Sequence, residues 1–135
     1  MTENEIAERI LDEAFAIHRE TGPGLLESVY ETMLEDALAE KGIAVRRQLP
    51  IPFKFRGKQF DEGFRADLVV ESAVIIELKS VKALEPIHAK QLLTYLKLSG
   101  LKLGILINFN EVLLRNGIRR VANGVEEPPP RESES

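Results

Sequence analysis

The chain has 135 residues and a formal net charge of −4, a length that suits one domain around one core. Hydrophobic residues make up 44% and charged residues 30%, and the absence of cysteine excludes disulfides, thiolate zinc sites and cysteine nucleophiles together. No apolar run approaches the ~20 residues of a membrane span, and MTENEIAERI lacks the basic-then-apolar order of a secretory leader, so a cytosolic (cytoplasmic) protein with no membrane partner is expected.

Ile6, Ile10, Leu11, Ala14, Phe15 and Ile17 recur at helical spacing and predict a first helix over residues 4–20. Thr21-Gly22-Pro23-Gly24 breaks it, because glycine suits the position past a helix end and proline cannot extend one. A second helix is expected over residues 25–41, with Leu26, Val29, Tyr30, Met33, Leu34, Ala37 and Leu38 inward and Gly42 as its stop. Residues 43–47 and 51–55 then read as extended, Pro50 and Pro52 favouring an edge position. Arg56-Gly57-Lys58 reads as a turn, and 64–70 and 74–79 are β-rich runs joined across Glu71-Ser72-Ala73. Residues 84–99 return to helix and stop at Gly100, while 103–108 and 112–118 are apolar enough for two more strands. From Asn123 the composition turns to Gly, Glu and Pro, which predicts a disordered tail over 123–135 behind a single domain at 1–122. The order α-α-β-β-β-β-α-β-β describes an α/β (α+β) domain, a mixed sheet flanked by helices.

Charge is unevenly spread along this order. Residues 1–40 hold 11 acidic and 2 basic side chains, whereas residues 41–125 hold 7 acidic and 15 basic. A chain so divided can present a basic face while staying acidic overall, which suits a polyanion. Two acidic helices with solvated outer faces would produce the same count.

Three ionisable residues stand among sheet formers: Asp67 in RADLVV, and Glu77 and Lys79 in VIIELKS. Strand side chains alternate, so Glu77 and Lys79 share a face while Val74, Ile76 and Leu78 take the other. A three-residue loop at 71–73 would pair Val70 with Val74, Val69 with Ile75, Leu68 with Ile76 and Asp67 with Glu77. That register sets two carboxylates face to face, an arrangement that is destabilising until a divalent cation lies between them. Carboxylates are the hard ligands that Mg²⁺ or Mn²⁺ prefers, and without a cation one of the two is expected to keep its proton. Lys79 on the same face can position a water or stabilise negative charge. The alternative is a buried ion network with no catalytic role.

On the helix at 84–99, Leu84, Ala89, Leu92 and Leu96 define an apolar arc, and His88, Gln91 and Tyr95 fall inside or beside it. Polar groups on a buried face need partners, and a polar site on the sheet would supply them. Glu27 stands at the start of the second helix, where a carboxylate favours the positive helix end.

GLLESVY, from Gly24 to Tyr30, resembles the signature of the GxxExxY family of small prokaryotic proteins. GFRADLVV, VIIELKSV, HAKQLLTYL and LGILINF resemble the same family in the same order, over roughly residues 5–122. That family is placed with the PD-(D/E)XK nuclease-like superfamily, so the resemblance implies a core of helix, three antiparallel strands, helix and a further strand. It implies that Asp67 is the motif's first Asp and that Glu77-Leu78-Lys79 is its E-x-K. Glu27 matches the acid of the first core helix, and Gln91 and Tyr95 match polar positions of the following helix; Ala66 stands where the motif has Pro. The expected function is a Mg²⁺- or Mn²⁺-dependent nuclease with DNA favoured over RNA. Its metal would be held by Asp67, Glu77, the Leu78 carbonyl and Glu27, and Arg46, Arg47, Lys54, Arg56 and Lys58 would attract phosphate. Cutting both strands of a duplex would call for a homodimer. The rival expectation is a catalytically silent nuclease-fold module that binds nucleic acid or a protein partner.

Overall fold

The computed structural model describes residues 1–128. Helix α1 (Glu3–Thr21) starts on Thr2, whose hydroxyl accepts the Glu5 N–H while the Glu5 carboxylate accepts the Thr2 N–H, so two unpaired donors of the first turn are satisfied together. Its stripe of Ile6, Ile10, Ala14, Phe15 and Ile17 is buried, as the spacing predicts. Helix α2 (Glu27–Glu40) buries Tyr30, Leu34 and Leu38. Leu26 and Val29, expected inward, are exposed: Leu26 is the residue that caps α2, and Val29 falls off the stripe that faces the sheet. Among the described residues no helix is long and apolar enough to cross a membrane.

The sheet has five strands in chain order: β1 (Val45–Phe55), β2 (Lys58–Val70), β3 (Val74–Lys79), β4 (Leu103–Asn108) and β5 (Ile118–Ala122). Helix α3 (Pro86–Ser99) crosses from β3 to β4, which lets that pair run parallel; the other neighbours are antiparallel. Every residue of β4 is buried, as befits a strand covered on both faces. On one face Leu68, Val70, Ile76, Leu78, Ile105 and Ile107 join the inner stripes of α1 and α2. On the other, Ala66, Val69, Ile75 and Leu106 pack against Leu92 and Leu96 of α3. Gly104 permits that contact, since a Cβ there would stand 2.8 Å from Leu92.

Two element assignments are corrected. Residues 43–47 and 51–55 are not two strands: one edge strand, β1, absorbs both prolines and is paired by a β2 that begins six residues earlier than expected. The strand expected at 112–118 is a 3₁₀ turn over Leu114–Gly117 followed by β5. Val112 and Leu113 are exposed there, and Gly117 lies so close under the Asn108 carbonyl that a Cβ would collide with it. Apolarity pointed to the turn, whereas the true edge strand carries Arg119 and Arg120 and looks polar.

The tail expected to be disordered from Asn123 is tied to the body at its start. The Asn123 N–H donates to Lys102 O at 2.7 Å, its side-chain amide donates to Leu101 O, and Val125 packs on the core. The Glu126 carbonyl accepts from Asn4 and Arg120; residues 129–135 lie outside the described residues. Truncation after Ala122 should therefore lower stability by about 1–3 kcal/mol, the net value of a few such bonds, read by thermal melting. An unchanged melting temperature would show that these contacts carry no energy.

Candidate active site

The turn at 71–73 sets the expected register: Val70 faces Val74, Val69 faces Ile75 and Leu68 faces Ile76. Glu71 and Ser72 both take positive φ to make it, and Glu71 is held by two bonds to Ala44 of the preceding loop. At the next step the backbone ladder stops. Asp67 Oδ2 accepts the Leu78 N–H at 2.8 Å, and Glu77 Oε2 accepts the Asp67 N–H at 3.4 Å. Side-chain carboxylates stand where strand carbonyls would be, so β2 and β3 part around two facing acids.

Those acids open into a cleft of about 180 Å³ between the sheet and α3. Asp67, Glu77 and Lys79 line it from the strands, and His88, Gln91 and Tyr95 from α3. Glu27, at the exposed first turn of α2, and Arg65 reach the same space. Leu78 sends its side chain into the opposite core and its N–H to Asp67. Tyr95 is half-buried and stacks on Phe64 with ring centres 3.9 Å apart. His88 Nδ1 accepts the Glu85 N–H and so caps α3.

Burial, the hydrogen bonding with Asp67 and the Asp67 charge push the Glu77 carboxyl up to about 9, while the Asp67 N–H and Lys79 pull the other way. Burial and the charges of Glu77 and Asp67 likewise raise the Tyr95 hydroxyl. At neutral pH the Glu77 carboxyl thus holds its proton. A small divalent cation could take that proton's place. Among the described residues no three acidic or histidine groups form a ready metal cage. Magnesium-type sites need only one or two carboxylates, with water and phosphate completing the shell, so the donor set fits such an ion.

Sequence reasoning missed Glu31 and Gln48. Glu31, on the same stripe of α2 as Leu34 and Leu38, is buried and accepts the Gln48 side-chain amide at 2.7 Å. Gln48 also reaches Asp67 Oδ1 at 3.4 Å, from a backbone held at φ 50. Burial and the Asp67 charge raise the Glu31 carboxyl, which Gln48 and Arg47 counteract. The signal was present, since Glu31 is an acid at an inward position of an amphipathic helix.

The five basic residues expected to attract phosphate are spread along the β1–β2 ribbon. Arg47 is engaged with Glu31 at 3.5 Å and Glu35 at 3.8 Å. Arg46 sits across from Val69, and Lys54, Arg56 and Lys58 cluster at the hairpin end, roughly 25 Å further along β1 by strand rise. Tyr30, read as part of the motif, acts as a clasp. Its hydroxyl donates to Gly22 O at 2.6 Å and accepts the Leu25 N–H, and its ring stacks on Phe109 at 4.3 Å. The loop ahead of Glu27 is thereby fixed beside the cleft.

A mixed sheet between two helical layers, with an acidic pair and an E-x-K lysine where two strands part, defines a nuclease-like core. The family model for the PD-(D/E)XK nuclease superfamily matches residues 4–121, and the chain belongs to that superfamily, whose nucleases typically use divalent metals. The fold is similar to the crystal structure of SSO0001 at 22% identity and a TM-score of 0.53, over 90% of this chain. The chain spans 64% of that protein's length. No curated protein matches the chain.

The raised Glu77 carboxyl has a thermodynamic consequence. Across the window from 4.5 to about 9 the folded chain holds a proton that the unfolded chain has released. The stability this contributes is complete below the unfolded value and is lost as pH rises through the folded one. The melting temperature of the metal-free protein should fall across that window, and Glu77→Gln should flatten the fall. A wild-type profile no steeper than that of Glu77→Gln would mean the carboxyl titrates normally.

Proposed function

We propose that this chain is a Mg²⁺- or Mn²⁺-dependent nuclease that hydrolyses phosphodiester bonds of nucleic acid, with DNA favoured over RNA, and that it is one of the GxxExxY group. The observation that carries the reading is the meeting of Asp67, Glu77 and Lys79 in one cleft, the two acids facing each other and Glu77 holding its proton. A stable ion network would instead pair each acid with a cation. Asp67 and Glu77 would hold the cation with the Leu78 carbonyl as a further oxygen donor, and Glu27, which lines the same cleft without completing a cage, would join on a small movement of its side chain. When bound, the ion neutralises phosphate charge and favours deprotonation of the attacking water.

Lys79 donates to the non-bridging phosphate oxygens and holds the attacking water in line. Gln91 and Tyr95 orient substrate from α3, and the Tyr95 hydroxyl, kept protonated, acts as a donor. His88 sets the start of α3 and, through it, the placing of Gln91. Glu31 and Gln48 position Asp67 from behind. A cytosolic location and a pair of copies for cutting duplex belong to the same proposal.

The experiment is a cleavage assay on single-stranded, duplex and branched substrates with Mg²⁺ or Mn²⁺, comparing wild type with Lys79→Ala. Metal-dependent cleavage should appear and fall by about 10²-fold or more in the variant, the usual cost of removing one transition-state donor. No cleavage, together with nucleic-acid affinity indifferent to metal, would favour the silent binding module. In parallel, Asp67→Asn and Glu77→Gln should abolish any metal-induced rise in melting temperature while leaving the metal-free protein folded. A loss of roughly 3–5 kcal/mol in the metal-free variants would indicate a structural ion network.

A further inference from the structure

The β1–β2 hairpin outruns the rest of the sheet. β3 pairs with β2 at 68–70, and the buried contacts of β2 begin at Phe64, so the stretch from Phe64 outward to Lys58 projects by roughly 20 Å at strand rise. Phe53 stands across from Phe60 and Phe55 across from Lys58, so these four residues share one face of the ribbon. The Phe53 and Phe60 rings stack at 5.0 Å, over Gly63, where any Cβ would run into the Phe53 ring. Phe60 is 37% exposed and Phe55 56%.

Three observations say what this face is for. The same side of β1 carries Ile51, which lies across from Phe64, and Phe64 stacks on the cleft residue Tyr95; aromatic rings therefore step from the cleft to the ribbon tip. Each outer ring has a cation over it: the Arg56 guanidinium stands 4.9 Å over the Phe55 centroid and the Lys58 ammonium 5.3 Å over that of Phe60, which also stacks on Phe53. Of the acids on the ribbon, Glu62 is neutralised by Arg65 at 2.8 Å. Finally, the two-residue turn needs positive φ at both positions, where Asn-Gly is the least strained choice, yet Arg56 occupies the first at φ 49. A cation is kept at the tip against backbone preference.

We infer that the β1–β2 ribbon is a single-strand guide: unpaired bases stack on Phe55 and Phe60 as Arg56 and Lys58 swing from over the rings to the phosphates, and the strand runs toward the Asp67–Glu77 cleft. The destination of the strand rests on the nuclease reading; the stacking does not. Exposed rings with interleaved cations match single-stranded nucleic acid, whose bases offer free π-faces, better than a duplex, whose bases are already stacked.

The test is fluorescence anisotropy with a labelled single-stranded oligonucleotide and with its duplex, in EDTA so that no cleavage intervenes. Phe55→Ala and Phe60→Ala should each weaken single-strand binding by about tenfold or more; Phe55→Ala, at a mostly exposed ring, should leave the melting temperature unchanged, whereas Phe60→Ala also loses its stack on Phe53. Arg56→Asn should also weaken binding while melting no lower than wild type, which separates the role from folding. Unchanged affinity in these variants, an equal loss on duplex, no single-strand binding by wild type, or loss of self-association in their place would each overturn the guide. Wild type that binds through the rings yet cuts nothing with metal retains the guide and fails the nuclease reading. Wild type that cuts while the ring variants bind unchanged does the reverse.

Discussion

Between Leu68 and Asp67 the pairing of β2 with β3 passes from backbone carbonyls to carboxylates. Asp67 takes the Leu78 N–H, Glu77 takes the Asp67 N–H, and the two strands cannot close further without driving two acids together. Like charges directly opposite on a sheet are unfavourable, and half-buried ones more so. Burial first, and then the hydrogen bonding and charge of Asp67, hold the Glu77 carboxyl far above an ordinary one, so it keeps its proton and the repulsion is relieved. Much of the surrounding structure serves to hold that opening at one place. The left-handed turn at Glu71-Ser72 fixes the register, Gln48 braces Asp67 against Glu31, and α3 covers the gap through Tyr95 stacked on Phe64.

The helices contribute by position more than by chemistry. Tyr30 and Ser80 bind the loop before α2 from two sides, the first through Gly22 and Leu25, the second through Leu25. Buried Asn108 at the end of β4 bonds both N–H and carbonyl of Val81, which steadies the chain as it leaves Lys79. One short parallel pair, β3 with β4, therefore anchors the E-x-K segment from behind, while its other edge is left to the carboxylates.

Much of this was legible in the sequence. Val70, Val69 and Leu68 could pair apolar to apolar with Val74, Ile75 and Ile76 only across a three-residue turn, and that register carried Asp67 to Glu77. The polar side chains on the inner arc of α3 announced a site on the sheet beneath. What escaped was long-range. An acid such as Glu31 on an inward stripe is ambiguous until Gln48 arrives from another strand. The ion pairs of Arg47 were hidden because its partners Glu31 and Glu35 lie on a helix distant in sequence. β5 was misplaced because an edge strand with Arg119 and Arg120 has no need of apolar alternation, whereas Val112 and Leu113 offered apolarity without burial.

The central claim is that the proton held on Glu77, facing Asp67, occupies the place of a divalent cation. Isothermal titration of the metal-free protein with Mn²⁺ at neutral pH, repeated in buffers of different ionisation enthalpy, measures that exchange directly. The account predicts release of close to one proton per bound ion, abolished in Glu77→Gln along with most of the affinity. Binding that releases no proton, or that survives unchanged in Glu77→Gln, would contradict it.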